Sequence, residues 1–76
     1  MMPSVVKPIA ATAKFKIGDR VRILPEGQAV FAGVDGVIRD VHPNDRGIAV
    51  LNQYDVLFNW GEEKPFYEVQ LEPIAE

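Results

Sequence analysis

The sequence predicts an all-β fold, a small antiparallel barrel of five short strands. Apolar and polar residues alternate over several short stretches, the period with which side chains alternate across a strand. Each stretch is bounded by glycine, proline, asparagine or aspartate, the residues that favour turns. No stretch of ten residues repeats its apolar positions with the period of a helix. Closure into a barrel would hide the sheet edges that short β domains otherwise expose.

The first strand is predicted over 20–24, after a glycine–aspartate turn. Its β-branched residues Val21 and Ile23 would face the core, and Arg20 and Arg22 would face the other side, because successive side chains point to opposite faces of a strand. The later strands are expected to fold back onto this one.

The second strand is predicted to follow two glycines, Gly33 and Gly36, whose spacing favours a tight turn or a close approach of the backbone. Ile38 and Val41 are both apolar, yet strict alternation would place them on opposite faces. We therefore expect a β-bulge near 39–40, where one extra residue would restore both side chains to the same face.

A turn cluster at 42–47 leads into the longest strand-like region, 48–60. Its even positions are apolar except for Asn52, so this face is predicted to lie on the core. Asn52 and Gln53 together are a candidate interruption of the strand. A hairpin turn is predicted over 59–63.

The end of the chain is predicted to form two edge strands. A short strand over 64–67 contains Pro65, which lacks an amide hydrogen and therefore favours an edge. One turn of 3₁₀ helix over 68–71 precedes a brief closing strand over 72–74. The expected core consists of apolar residues from all of these segments, namely Val21, Ile23, Ile38, Val50, Val56, Phe58, Val69 and Leu71.

Length and composition indicate one domain of 76 residues, with a flexible tail over 1–14 and the folded part over 15–76. The tail contains two prolines and small residues, which favour a disordered terminus. The alternative is an arm that docks on a neighbouring subunit through Val5, Val6 and Ile9. A domain of this size buries about 60% of the surface of its unfolded chain, so partners or self-association would add needed stability.

Charge and cysteine content narrow the function classes. The chain has eight lysines and arginines against eleven aspartates and glutamates, a net charge of −3 and a pI near 5.0. Nucleic-acid binders normally carry a basic surface, so a nucleic-acid partner is not expected. The absence of cysteine excludes disulfides and thiolate metal sites. No apolar run is long enough to span a bilayer and no signal-peptide pattern is present, so a cytoplasmic location without membrane contact is expected.

The spaced motifs of the chain resemble those of the SH3-like barrels of the electron-transport accessory group. That group includes photosystem I subunit IV, the variable chain of ferredoxin-thioredoxin reductase and the β subunit of nitrile hydratase. The resemblance implies a five-stranded SH3-like antiparallel barrel that is not catalytic alone, and that braces a catalytic partner or docks a soluble redox protein. The motifs are Phe15-x-x-Gly18-Asp19-x-Val21-x-Ile23, Phe31-x-Gly33-x-x-Gly36-x-Ile38, Tyr54-x-Val56-x-Phe58 and Glu68-x-x-Leu71-Glu72-Pro73.

Two further resemblances imply alternative functions. Phe31-x-Gly33-x-x-Gly36-x-Ile38 is similar to the KOW motif of transcription factors and ribosomal proteins, which implies an RNA or ribosome contact. KOW motifs usually carry more lysine and arginine around the glycines, where this chain has Asp35, Asp40 and only Arg39.

The stretch Phe15-x-x-Gly18-Asp19-Arg20-Val21-Arg22 also resembles the plasmid-borne type II dihydrofolate reductase. That resemblance implies an NADPH-dependent enzyme assembled as a homotetramer around a central pore. The active-site stretch of the reductase, Val-Gln-Ile-Tyr, aligns with residues 64–67, where only Tyr67 matches.

Aromatic residues are the first candidates for a binding surface. A barrel of this size cannot enclose all of its large aromatics, and Tyr54 and Phe58 are predicted at the core or its rim. Trp60 and Phe66 flank a turn, and an exposed tryptophan beside another aromatic is typical of an interface. The alternative is that Trp60 caps the open end of the barrel. The predicted partner-binding aromatics are Phe31, Trp60, Phe66 and Tyr67.

Arg20, Arg22 and Arg39 are the second candidates, because neighbouring strands could place them on one outer face. They would then form a basic patch that attracts an acidic partner protein. The alternative is that nearby carboxylates, those of Asp19, Asp35 and Asp40, neutralise them.

No catalytic, metal or cofactor site is predicted. His42 is the only histidine, and with Asp40 and Asp45 it is interpreted as a solvated turn residue. No nucleophile motif or phosphate-binding loop is present. The leading hypothesis is therefore a non-catalytic interaction or accessory module of a protein complex, with self-association as one form of that assembly.

Overall fold

A computed structural model describes residues 13–26 and 28–74 of the chain, and the described part is all-β. Five strands are present, β1 (Arg20–Ile23), β2 (Asp35–His42), β3 (Gln53–Phe58), β4 (Glu63–Tyr67) and β5 (Leu71–Pro73). Three single-turn 3₁₀ helices join them, η1 (Ala29–Phe31), η2 (Ala49–Leu51) and η3 (Glu68–Gln70). The predicted all-β class is confirmed, and none of the helices described is long and apolar enough to cross a membrane.

The strands form one antiparallel sheet in the order β4-β3-β2-β1-β5. β4 and β5 are its edges, as their prolines Pro65 and Pro73 predict. Between these two edges, no strand pairing is present within 13–26 and 28–74. The antiparallel sheet is therefore confirmed, whereas closure into a barrel stays a prediction.

One face of the sheet supplies the core. Because the described chain has no second layer, the sheet can bury this face only by curving around it. Nine apolar side chains are at most 4% exposed, namely Phe15, Val21, Ile23, Ile38, Tyr54, Val56, Phe58, Phe66 and Leu71.

Two predicted core residues are instead half exposed. Val50 lies in η2 and Val69 in η3, where a helical turn replaces the alternation of a strand. The predicted strand over 48–60 consequently begins only at Gln53, next to the predicted interruption. Phe15 and Phe66, which the sequence did not assign to the core, occupy it instead.

The β-bulge predicted near 39–40 is present in β2. The pairing register with β3 shifts between Ile38 and Asp40, and Asp40 then faces Asp55 directly. Ile38 is buried and Val41 packs against the core, so both lie on the inner face. Asp40 and His42 consequently point to the outer face. His42 is the last residue of β2, so the prediction of a turn at this residue is wrong.

The second strand was expected to follow both glycines, but β2 begins at Asp35, so Gly33 precedes the strand and Gly36 lies within it. The two glycines have the two roles that their spacing favours. Gly33 has a φ of +81°, the left-handed conformation that a turn requires. A side chain at Gly36 would overlap the Cγ1 methyl of Val56 and lie 3.0 Å from the carbonyl oxygen of Leu57. Gly36 therefore allows β2 and β3 to approach closely.

A polar cluster ties four segments together beside η3. The Glu68 carboxylate oxygen Oε1 accepts hydrogen bonds from Tyr54 Oη at 2.6 Å, from the Lys14 amide at 3.1 Å and from Asn52 Nδ2 at 3.3 Å. Asn52 is fully buried, and its Oδ1 accepts from the Asn44 amide at 2.7 Å. Burial raises the pKa of Tyr54, and its bond to Glu68 adds to that shift, so the hydroxyl stays protonated and donates.

Within the described residues, the two that precede the predicted boundary at Phe15 also contact the domain. Ala13 packs against the core, and the Lys14 amide donates to Tyr54 Oη at 3.0 Å. Residues 1–12 lie outside the described part of the chain, and so does the predicted docking arm through Val5, Val6 and Ile9.

Removal of the Tyr54 hydroxyl should destabilise the domain. In Tyr54→Phe, Glu68 loses its shortest hydrogen bond and the Lys14 and Phe15 amides lose an acceptor. We expect a loss of about 1–2 kcal/mol in the free energy of unfolding, measured by urea titration.

Tyr67→Phe is the matched control for Tyr54→Phe, because Tyr67 is exposed on the outer face of β4. It should change the free energy of unfolding by less than about 0.5 kcal/mol. Equal losses in the two variants would contradict a stabilising role for the cluster.

A methyl group at Gly36 should destabilise the sheet by overpacking. Gly36→Ala is expected to cost about 1–3 kcal/mol, because the new Cβ meets Val56 and the Leu57 carbonyl. Thermal unfolding of Gly36→Ala, Val56→Ala and the double variant would show the cause. The cost of Gly36→Ala should be smaller when Val56 has already been shortened, and strictly additive losses would argue against the clash.

Candidate functional site

Four aromatic rings form a cluster at the end of β3 that leads into the β3–β4 turn. The Phe58 ring stacks on Trp60, with ring centroids 4.7 Å apart, and on Phe31, 5.0 Å apart, both at an interplanar angle of 9°. Phe66 contacts Phe58 and Phe31 edge-on, at 6.1 and 6.2 Å. β3 supplies Phe58, the turn supplies Trp60, η1 supplies Phe31 and β4 supplies Phe66, so segments distant in the sequence build one cluster.

The four rings of this cluster differ in their exposure to solvent. Phe58 and Phe66 are 1% exposed, Phe31 is half-buried, and Trp60 is 54% exposed. Phe66 was predicted to be a surface anchor, but the alternation of β4 turns it into the core and turns Tyr67 outward. The exposed part of the cluster therefore consists of Trp60 with the accessible edge of Phe31.

Neighbouring charged groups hold the indole of Trp60 in place. Trp60 Nε1 donates to Glu62 Oε1 at 3.0 Å, and Lys64 Nζ lies 3.5 Å from Glu62 Oε2. The bond from Trp60, assisted by Lys64, lowers the pKa of the Glu62 carboxyl, which is thus ionised at neutral pH. Lys64 Nζ also lies 5.8 Å from the ring centroid of Phe31. The aromatic rings thus have a polar rim on the side of the hairpin.

The three candidate arginines do not form an unopposed positive patch. Arg20 and Arg22 come together on the outer face, with Asp35 between them at 3.9 and 2.9 Å. The hydrogen bond from Arg22 to Asp35 raises the pKa of the guanidinium further above its usual value. Arg39 in the bulge lies 3.8 Å from Glu63 of β4. Each arginine therefore has a carboxylate neighbour.

An open cavity of about 380 Å³ lies beside Arg20 on the outer face of β1, β2 and β3. Its only ionisable side chains are Arg20 and Asp35, whose charged groups lie 3.9 Å apart. The lining residues are Arg20, Asp35, Gly36, Val37, Leu57, Phe58 and Asn59.

A histidine and two carboxylates form a separate group on the outer face of β2 and β3. His42 Nε2 lies 3.1 Å from Asp55 Oδ2 and 3.8 Å from Asp40 Oδ2. The hydrogen bond to Asp55 raises the pKa of His42, and the charges of Asp55 and Asp40 add to the shift. The sequence interpretation associated His42 with Asp45 and missed Asp55. Register counting from the predicted bulge, which places Asp40 opposite Asp55, is the signal that could have identified it.

The chain matches no family model, no curated protein and no solved structure.

Proposed function

We propose that this chain is a non-catalytic interaction module that joins a protein complex through its aromatic surface, which we define as Val30, Phe31 and Trp60. The observation that carries the proposal is the state of Trp60, which is 54% exposed although its ring stacks on the buried Phe58. Val30, the neighbour of Phe31 in η1, is also largely exposed.

The physical argument starts from the cost of ordering side chains when two proteins bind. A free tryptophan loses rotamer freedom on binding, which weakens association. The indole of Trp60 is already fixed by its stacking on Phe58 and by its hydrogen bond to Glu62. Binding would therefore gain the burial of the ring's exposed area at a small loss of entropy. Tryptophan is also the residue type most enriched among the energetically dominant residues of interfaces.

The surroundings of Trp60 fit the anatomy of an interface. A typical interface has an apolar centre and a polar rim that stays close to water. Here the centre is aromatic, and Glu62 and Lys64 supply a rim of both charges. We infer a protein partner that presents an apolar side chain to the indole, with polar groups around it.

Residue chemistry supports binding over catalysis. Residues 13–76 contain no serine, threonine or cysteine, which are the usual hydroxyl and thiol nucleophiles. The single histidine belongs to β2 opposite Gln53, whereas Trp60 follows the other end of β3. The aromatic surface thus has no general base of this type beside it.

Truncation of Trp60 should weaken association through the aromatic surface. Because Trp60 is the only tryptophan of the chain, its fluorescence reports directly on this surface. Burial by a partner should shift its emission to shorter wavelength. Sedimentation equilibrium of the purified chain over a range of concentrations would test self-association, and Trp60→Ala should lower the association constant at least about tenfold, the equivalent of 1.4 kcal/mol.

A photoreactive phenylalanine analogue tests the case in which the chain alone is monomeric. Placed at Val30 in cells that make the protein, it leaves the indole of Trp60 intact and should cross-link a defined partner protein, whereas the same analogue at Tyr67, exposed on β4, is the matched control. The proposal is refuted if the chain stays monomeric and position 30 cross-links no more than position 67.

A further inference from the structure

We propose that Asp40, His42 and Asp55 bind a divalent transition metal ion such as Zn²⁺ on the outer face of β2 and β3. The three side chains converge, with one ligand atom from each lying within 4.8 Å of the others. This metal site is separate from the aromatic surface, and the inference does not depend on the function proposed for that surface.

The two separations between His42 and the carboxylates suit one metal ion, and all three ligand atoms lie within 4.8 Å of one another. Zn²⁺ binds histidine nitrogen and carboxylate oxygen at about 2.0–2.2 Å, so two ligands of a tetrahedral site lie about 3.3–3.6 Å apart. His42 Nε2 lies 3.1 Å from Asp55 Oδ2 and 3.8 Å from Asp40 Oδ2, which brackets that separation. One imidazole nitrogen and two carboxylate oxygens are ligands that Zn²⁺ accepts.

The backbone directs the side chains of Asp40, His42 and Asp55 towards one another. The bulge turns Asp40 and His42 to the same face, and strand pairing sets Asp55 directly across from Asp40. The Val41 amide donates to Asp40 Oδ1 at 2.9 Å, which leaves Oδ2 directed towards the imidazole. Such an outer hydrogen bond orients ligands in metal sites.

The charge balance of this face independently favours a cation. Two carboxylates directly opposite each other on neighbouring strands repel. Within 13–26 and 28–74, no lysine or arginine forms an ion pair with Asp40 or Asp55, in contrast to the carboxylates beside Arg20, Arg22 and Arg39. His42 is the only basic group between the two aspartates. A divalent ion would neutralise both carboxylates and still leave a coordination position open to solvent, because all three ligands come from the sheet side.

The composition of the chain leaves few side chains that could compete with this site for Zn²⁺. The chain has one histidine and no cysteine, so no second nitrogen or sulfur side-chain ligand of the usual kind competes for Zn²⁺. The experiment uses the full chain without a histidine tag, treated with a chelator and then titrated with ZnCl₂ by calorimetry. Nitrogen-15 NMR of the single imidazole is recorded in parallel, and Co²⁺ absorption reports the coordination geometry.

The expected result is saturable binding of one Zn²⁺ per chain, with a shift of the His42 Nε2 resonance. His42→Gln, Asp40→Asn and Asp55→Asn should each weaken binding at least about tenfold. Asp45→Asn is the matched control, because it removes the same charge from an exposed turn residue that is not part of the group. It should leave the affinity within about twofold of wild type.

Three results would overturn the proposal. They are the absence of saturable Zn²⁺ binding, an equal loss of affinity in Asp45→Asn and Asp55→Asn, and an unshifted His42 resonance at saturating metal. Thermal unfolding of each variant without metal controls for folding, since all four substituted side chains are on the surface. None of these results bears on the aromatic surface, so the two proposals can fail separately.

Discussion

The bulge in β2 is the constraint on which both the core and the outer face depend. A single-layer sheet has only one face with which to build its core, so every strand must keep its apolar residues on that face. Regular alternation in β2 would not meet this requirement, because Ile38 and Val41 are three positions apart and would lie on opposite faces. The extra residue in the bulge shifts the alternation of inward and outward side chains by one position, so both side chains contact the core. The same correction turns Asp40 and His42 outward together.

A second constraint comes from the segments that do not follow strand alternation. η2 directly precedes β3 and η3 directly follows β4. The Glu68 amide at the start of η3 donates to the carbonyl oxygen of Asn52, the residue after η2, at 2.8 Å. The buried Asn52 bonds to the loop before η2, and Glu68 at the start of η3 accepts from Tyr54 and from the chain entering at Lys14. No buried side-chain nitrogen or oxygen in the described part of the chain lacks a partner. The cluster thus fixes where the sheet ends, which is why Val50 and Val69 lie outside the core.

Local patterns in the sequence predict most of the fold. Alternation locates the strands, the conflict between Ile38 and Val41 locates the bulge, and Pro65 and Pro73 identify the edges. These features depend on a few neighbouring residues, so the sequence contains enough information to find them.

Features that depend on distant segments were not predictable in the same way. Phe66 looks like a surface residue until β4 is placed in register with β3, where Phe66 pairs with Tyr54 of the inner face. Asp55 joins His42 only once the bulge has shifted the pairing. The burial of Asn52, a polar residue on an apolar face, depends on a cluster assembled from four segments.

The two interpretations of Trp60 are physically compatible with each other. The sequence leaves open whether this residue caps the open end of the barrel or forms a contact surface. A cap over the core is visible, because Phe31 and Trp60 cover Phe58 and leave it 1% exposed. A planar ring has two faces, however, and stacking on Phe58 occupies one of them. The exposed half of the indole covers no other ring in this way in the described domain. The stacking of Trp60 on Phe58 holds it in position. Stability and binding can therefore be separated at this residue, since Trp60→Phe keeps a ring over Phe58 but loses the indole nitrogen that donates to Glu62.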